Sequence, residues 1–165
     1  MSSSTPDVLS AAVLTVSDSS ARGERADLSG PAVAEILNKR SFAVVATEIV
    51  PDDQAAIQQA IMELAGKVRL VVTTGGTGIA ERDVTPESTR AICNRLVEGV
   101  AERMRFEGSK STPLAALSRG VCGVRGTSLV LNLPGSPRAA AESLEAVIDL
   151  LPHALQLLSG NTKHG

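Results

Sequence analysis

The chain has 165 residues, of which 43% are hydrophobic and 21% charged, and its formal net charge is -2 at pH 7. This size and apolar content indicate one globular core and exclude a disordered chain. With two Phe, no Tyr, no Trp and no excess of basic residues, the chain lacks the basic surface and stacking side chains of a nucleic-acid-binding protein.

Strands and helices are predicted to alternate along the first half of the chain. Three apolar, partly β-branched runs predict buried strands: residues 8–16, 42–50 and 70–74. Helical spacing of apolar residues after Pro31 predicts a helix, and a second helix is capped by Asp52 or Asp53 and ends at Gly66. This alternation predicts a mostly parallel sheet covered by helices on both faces.

The second half predicts two helical regions separated by a hairpin. The first covers 98–117 with an interruption at 108–113, and the second covers 138–151, where Pro152 breaks or kinks it. Between them lie two short strands around Gly126: residues 121–125 and 128–133. This pair is predicted to be an antiparallel hairpin at the sheet edge.

No linker or repeat divides the chain, so residues 1–165 are predicted to form a single domain with loose ends at 1–6 and 161–165. We expect no secretory signal, because residues 1–6 are polar and lack a basic stretch followed by an apolar run, and no apolar run approaches the roughly 20 residues of a membrane span. Cys93 and Cys122 lack the spacing of a metal site or a disulfide framework. We therefore expect a cytoplasmic protein without a membrane partner, and assign no role to the cysteines, His153 or His164.

Polar loops follow each of the first three predicted strands, where ligands bind in open α/β sheets. Their sequences are SDSSARG, PDD and TTGGTGIAERDVTPE. In the third loop, glycines 75, 76 and 78 allow close approach of an anion, and threonines 73, 74 and 77 add hydroxyl groups. The loop fails the dinucleotide fingerprint because Glu81 stands where Gly or Ala is needed, and it fails the P-loop pattern because no Gly-Lys-Ser/Thr follows.

Two carboxylates are further candidate residues of the predicted site. Asp52 and Asp83 are candidates to face one cleft and hold magnesium against the phosphates of a nucleotide. Helix capping is the alternative for Asp52, and for Asp83 the alternative is a turn or cap ahead of a helix that runs through Ala91. Arg82 is a candidate to pair with phosphate or simply to lie in solvent.

Two further loops carry weaker signals. Ser17 and Asp18 are candidates to bind ribose or phosphate, although Ser-Asp-Ser-Ser is also common in turns. The turn Leu133-Pro134-Gly135-Ser136-Pro137 precedes a long predicted helix, whose N-terminal amides attract anions.

Taken in order, these loops resemble those of the molybdenum-cofactor biosynthesis family of MogA and MoaB type, which includes related domains of gephyrin and plant Cnx proteins. The matching segments are LTVSDSSARGERADLSGP, IVPDD, LVVTTGGTGIAERDVTPE and LVLNLPGSPRAA. The GGTG segment followed after four residues by Asp83 is the specific signature.

The resemblance implies a three-layer α/β/α fold, commonly a homotrimer or larger, that binds molybdopterin and Mg-ATP. It implies transfer of AMP to the molybdopterin phosphate with release of pyrophosphate, and delivery of the product to a molybdenum-insertion protein. Asp52 and Asp83 match the aspartates that serve Mg²⁺ and nucleotide. The implied binding residues are Ser17, Asp18, Thr74, Gly75, Gly76, Thr77 and Gly78, with Pro134, Gly135 and Ser136 beside the pterin.

Two other classes of function compete with this one. The first is a non-catalytic molybdopterin-binding or scaffolding paralogue with the same fold, against which the presence of both Asp52 and Asp83 argues. The second is a nucleotide-binding oxidoreductase, which the failed dinucleotide fingerprint disfavours.

Overall fold

A six-stranded sheet forms the middle layer of the computed structural model, which describes residues 8–160. The predicted loose ends at 1–6 and 161–165, and His164, lie outside these residues. The strands are β1 (Leu9–Val16), β2 (Phe42–Val50), β3 (Leu70–Thr74), β4 (Arg95–Leu96), β5 (Cys122–Arg125) and β6 (Ser128–Leu133). Their order is β2-β1-β3-β6-β5-β4.

The first four strands in this order are mutually parallel, and β5 and β4 run antiparallel to their neighbours. The predicted parallel sheet and the antiparallel hairpin are therefore confirmed. The two-residue strand β4 lies outside the hairpin and forms the sheet edge, and it was too short to give an alternating sequence pattern.

Helices cover both faces of the sheet. They are α1 (Asp18–Ala21), α2 (Ser29–Lys39), α3 (Gln54–Ala65), α4 (Thr85–Ile92), α5 (Glu98–Ser109), α6 (Pro137–Val147) and α7 (Leu151–Leu158), with 3₁₀ segments at Pro113–Leu117 and Ile148–Leu150. No helix among residues 8–160 is long and apolar enough to cross a membrane.

Alternate side chains of the central strands enter two separate cores. Val13 and Val72 pack with α2, α5, α6 and α7, whereas Leu14 and Val71 pack with α3. Successive residues of a strand point to opposite faces, so two apolar layers need strands that are apolar throughout, and β3 is buried along its whole length. The three-layer α/β/α prediction is confirmed.

Two helix boundaries differ from the sequence predictions. The helix predicted to run to Leu151 ends at Val147, and a 3₁₀ segment leads into α7. Pro152 lies in the first turn of α7, where its missing N–H would have had no helical acceptor anyway. Helix α1 was not predicted because four residues show no helical periodicity.

The cap of α3 distinguishes the two neighbouring aspartates. The Asp53 carboxylate accepts a hydrogen bond from the amide of Ala56 at 2.9 Å and so caps the helix. Asp52 precedes the cap, and its carboxylate accepts a hydrogen bond from the Asp18 amide instead. The alternative that Asp52 is the helix cap is therefore wrong.

Candidate active site

A polar cavity of about 450 Å³ lies at the carboxyl edge of the sheet. In the parallel register, Thr15 pairs with Thr74 and Thr74 pairs with Leu133, so β1, β3 and β6 end together. The loops after these strands and after β2 form the cavity wall. A volume of this size suits a small-molecule ligand.

Eight of the predicted site residues line this cavity: Ser17, Asp52, Thr74, Gly75, Gly76, Asp83, Gly135 and Ser136. Asp18, Thr77 and Gly78 do not line it, and Pro134 lines a neighbouring cavity instead. Thr73 is fully buried and its hydroxyl is hydrogen-bonded to Asn132, so the prediction that it offers a hydroxyl to an anion is wrong.

Asp52 and Asp83 come from segments far apart in the chain and face the same space. Burial, and secondarily the charge of Asp83, raise the pKa of the Asp52 carboxyl above its ordinary value. Among residues 8–160, no group of three or more His, Cys, Asp or Glu side chains is placed to hold a metal ion. The cavity thus concentrates negative charge without forming a complete metal site from protein groups alone.

Asp18 does not line the cavity but is hydrogen-bonded to Asp52, which does. The Asp18 amide donates to Asp52 Oδ2 at 3.1 Å, and the Asp52 amide donates to Asp18 Oδ1 at 2.8 Å. Asp18 also pairs with Arg82. The two hydrogen bonds between Asp18 and Asp52 join the loop after β1 to the loop after β2. Asp18 therefore positions Asp52, and Arg82 has a protein partner in Asp18.

The glycine loop contributes close backbone packing as well as polar groups. Gly75 has a φ of 92°, and its amide donates to the Leu133 carbonyl at 3.1 Å. A Cβ at Gly75 would lie 2.3 Å from the Val16 carbonyl oxygen, and one at Gly135 would lie 3.3 Å from Gly75 Cα. The amide of Gly75 is therefore occupied, whereas that of Gly76 has no protein acceptor among residues 8–160 and stays free for a ligand.

A third carboxylate on the cavity wall, that of Asp27, was not identified from the sequence. Asp27 accepts hydrogen bonds from the Thr15 hydroxyl at 2.7 Å, the Ser29 hydroxyl at 3.3 Å and the Gly30 amide at 3.0 Å. Ser29 and Thr74 share a further hydrogen bond of 3.1 Å. The local signal was an aspartate three residues before Gly30 at a helix start, which is a capping pattern.

Two arginines were also missed. Arg25 is exposed on the loop before Asp27, and it is among the residues that line the polar cavity. Arg119 does not line this cavity, and its guanidinium donates hydrogen bonds to the Gly78 and Asp83 carbonyls of the glycine loop. Arg25 lies within the segment LTVSDSSARGERADLSGP, but nothing in that segment distinguished it from its neighbours. Arg119 lies outside the matching segments, and its contacts depend on how separate loops meet.

A second, mostly apolar cavity of about 280 Å³ adjoins the first. Its wall includes Met104, Leu114 and Pro134, and Ser136 lines both cavities. The Ser136 hydroxyl accepts a hydrogen bond from the Ala139 amide at 3.2 Å and caps α6. The turn that ends at Ser136 therefore separates a polar compartment from an apolar one.

The cysteines are unsuited to nucleophilic chemistry. Burial raises the pKa of the Cys93 thiol to about 11 and that of the Cys122 thiol to about 12. Both groups are therefore neutral thiols at physiological pH, and the thiolate is the reactive form. This agrees with the sequence interpretation, which gave them no role.

Comparison with known proteins identifies clear relatives. A family model described as a probable molybdopterin binding domain matches residues 12–153. A Helicobacter pylori J99 protein named molybdopterin adenylyltransferase is 40% identical over 153 residues, covering 90% of this chain and 87% of that protein. The Escherichia coli K12 protein of the same name is 38% identical, covering 90% of this chain and 84% of its own length.

Solved structures agree with these matches. A structure described as the molybdopterin biosynthesis enzyme MoaB from Thermus thermophilus is 51% identical, with a TM-score of 0.87. The match covers 92% of this chain and 97% of that chain. Sequence and fold therefore point to the same set of relatives.

Proposed function

Because this chain belongs to the molybdopterin-binding domain family of molybdenum cofactor biosynthesis, we propose that it is a molybdopterin adenylyltransferase. It transfers AMP from ATP to the phosphate of molybdopterin and releases pyrophosphate. The observation that carries the proposal is the convergence of Asp52 and Asp83 in a polar cavity that adjoins an apolar one.

The polar cavity has groups suited to the nucleotide phosphates. The free amide of Gly76 and the hydroxyl-bearing side chains of Ser17 and Ser20 supply donors, and Arg25 supplies positive charge. Gly75 holds the strand ends together through its backbone and gives its amide to Leu133. The supporting pair of Asp18 and Asp52 keeps the carboxylate at the cavity wall.

The donor set at Asp52 and Asp83 fits Mg²⁺. This ion binds proteins through one or two carboxylates and completes its octahedron with water and substrate phosphate oxygens. Asp52 and Asp83 face one cavity, and no group of three or more His, Cys, Asp or Glu side chains among the described residues is placed to hold a metal ion, so a site with two carboxylates matches that preference. When bound there, Mg²⁺ would offset the negative charge of the triphosphate.

The apolar cavity suits the ring system of the pterin, and the N-terminus of α6 suits its phosphate. Met104, Leu114 and Pro134 provide apolar contacts. Ser136 lies where the two cavities meet, at the N-terminus of α6. Pro137 has no N–H and the Ala139 and Ala140 amides are bonded to Ser136, so the helix dipole and the Arg138 amide are what this terminus offers an anion. The molybdopterin phosphate is then directed toward the nucleotide compartment.

The reaction needs no protein nucleophile. A phosphate oxygen of molybdopterin attacks the α-phosphorus of ATP, a new P–O bond forms, and the bond to the bridging oxygen of the β-phosphate breaks to release pyrophosphate. The chain supplies positioning and charge complementarity, which are the main requirements of such transfers. The neutral, buried thiols are consistent with this.

The test is direct formation of adenylylated molybdopterin. Purified protein is incubated with molybdopterin, ATP, Mg²⁺ and pyrophosphatase, and the product is measured by liquid chromatography and mass spectrometry. We expect Asp52→Asn and Asp83→Asn each to decrease the rate by about 100-fold or more, as when one charge-stabilising group is removed from an active site. Both variants should fold normally.

Asp53→Asn is the matched control, because Asp53 is exposed and acts as a helix cap, a position that Asn also fills well. It should keep near-normal activity. Near-normal activity of both Asp52→Asn and Asp83→Asn would refute the proposed metal and nucleotide site. Molybdopterin binding without turnover in the unmodified protein would instead support a non-catalytic binding protein.

Assembly, partner and location complete the proposal. We propose a homotrimer or larger assembly, supported by exposed Val45 and Ile49 on the edge strand β2, which analytical ultracentrifugation can test. We also propose that the product passes to a molybdenum-insertion protein. We propose a cytoplasmic location, with which the two free cysteines among residues 8–160 are consistent.

A further inference from the structure

We infer that Arg119 is a positioning residue that holds the Asp83 loop in place and links it to the wall of the apolar cavity. This inference rests on the proposed function for its catalytic consequence, because Asp83 matters there as a ligand for metal and nucleotide. The structural part, namely that one side chain fixes the loop, stands on the contacts of Arg119 alone.

Arg119 binds the loop at several points. Its Nε donates to the Gly78 carbonyl at 2.8 Å and its Nη2 donates to the Asp83 carbonyl at 2.8 Å. Its Nη1 pairs with Glu87 at the start of α4, and its backbone amide donates to the Thr77 carbonyl at 2.7 Å. The hydrogen bond from Arg119 also lowers the pKa of the Glu87 carboxyl.

These contacts hold both ends of a segment that is otherwise exposed. Residues 79–82 are exposed, and the hydrogen bonds between Ala80 and Asp83 are local, at 3.0 and 3.1 Å. Arg82 contacts Asp18, but its side chain is 69% exposed, and exposed ion pairs contribute little. Arg119 is therefore the better shielded of these two arginine links, and it acts beside the buried Thr85 hydroxyl, which donates to the Gly75 carbonyl at 3.0 Å.

The position of Arg119 in the chain connects the two compartments. It follows the 3₁₀ segment Pro113–Leu117, and its neighbours Ser118 and Gly120 line the apolar cavity. One guanidinium thus joins the wall of the proposed pterin compartment to the loop that carries Asp83. Arg119 should therefore fix the position of Asp83 relative to the wall of the proposed pterin compartment.

The chemistry of the side chain makes the role specific to arginine. A guanidinium presents five donors in a planar fork and can bond several acceptors at once, whereas a lysine ammonium is a single point on a flexible chain. Lysine at this position would retain the charge near Glu87 but cannot reach both carbonyls with the same geometry. Arg119→Lys should therefore behave more like Arg119→Gln than like the unmodified protein.

The first measurement does not depend on activity. Hydrogen–deuterium exchange is followed by mass spectrometry in peptides that cover residues 76–87 and, as an internal reference, α3. We expect Arg119→Gln to accelerate exchange in 76–87 by about tenfold, which corresponds to about 1.4 kcal/mol, and to leave α3 unchanged. The matched control is Arg125→Gln, because Arg125 donates to the Ile92 carbonyl at the far end of α4.

The second measurement tests the catalytic consequence. In the adenylylation assay, Arg119→Gln and Arg119→Lys should lower kcat by tenfold or more and raise the Mg²⁺ concentration for half-maximal rate, whereas Arg125→Gln should change neither. Unchanged exchange in 76–87, or activity within twofold of the unmodified protein, would overturn the inference. If the unmodified protein does not adenylylate molybdopterin, the proposed function fails and the exchange measurement alone decides the role of Arg119.

Discussion

Replacing Gly75 with alanine should destabilise the protein by more than the left-handed backbone conformation explains. Gly75 has a φ of 92°, which costs an L residue about 1–2 kcal/mol. The new Cβ would also lie 2.3 Å from the Val16 carbonyl oxygen, so one backbone segment must shift. Overpacking of this kind costs about 1–3 kcal/mol.

The surroundings of Val16 allow little relaxation. Val16 is the last residue of β1, is 3% exposed, and pairs in register with Val50 on the neighbouring strand. A shift of its carbonyl would disturb β1 at the point where the cavity begins. We therefore expect a total loss of about 3 kcal/mol, or a decrease in Tm of roughly 6–12 °C for a domain of this size.

Gly126→Ala is the matched control. Gly126 also has a positive φ, of 59°, but a Cβ there would meet no atom within 4 Å. It should lose only about 1 kcal/mol, so thermal and urea unfolding of the two variants isolate the contact with Val16. Equal losses in the two variants would refute the argument that close packing of the strand ends requires Gly75.

Three further predictions address charge and buried polar contacts. Asp52→Asn should raise Tm at pH 7, because the raised pKa of Asp52 means that folding disfavours its ionised form. This gain in Tm should vanish below about pH 4, where the carboxyl is protonated in both the folded and the unfolded state. A gain that does not depend on pH would contradict this reasoning. Asn132→Ala should lower the free energy of unfolding, measured in urea, by about 2–4 kcal/mol. The Val121 amide loses its side-chain acceptor and the buried Thr73 hydroxyl loses its donor, whereas the Thr89 hydroxyl loses one hydrogen bond and keeps the one to the Thr85 carbonyl. A loss below about 1 kcal/mol would be too small for this reasoning. Arg25→Ala should raise the KM for ATP about tenfold, equal to about 1.4 kcal/mol, and leave Tm unchanged. The control is Arg22→Ala, which removes only an exposed ion pair with Glu24 and should change neither quantity. Equal effects of these two variants would exclude Arg25 from the proposed phosphate site.

The alternation of apolar strands and amphipathic helices was readable from the sequence because it depends on local periodicity. The strand boundaries of β2 and β3 agree with their predictions, and α4 ends one residue beyond the predicted Ala91. The convergence of Asp52 and Asp83 was also predictable, since the carboxyl ends of parallel strands meet at one edge. What this reasoning could not supply was the partner of each polar group.

Those partners depend on strand order and register, which local patterns do not encode. Arg119 bonds Gly78 across 41 residues, and Thr15 bonds Asp27 across 12, and neither contact has a signature in its own segment. The amide of Gly75 is occupied by Leu133 only because β6 lies beside β3. The sequence by itself determined the layers and the sheet edge at which Asp52 and Asp83 meet. The tertiary structure decided which backbone donors are already bonded to protein, because the hydrogen bonds between loops depend on which strands lie side by side.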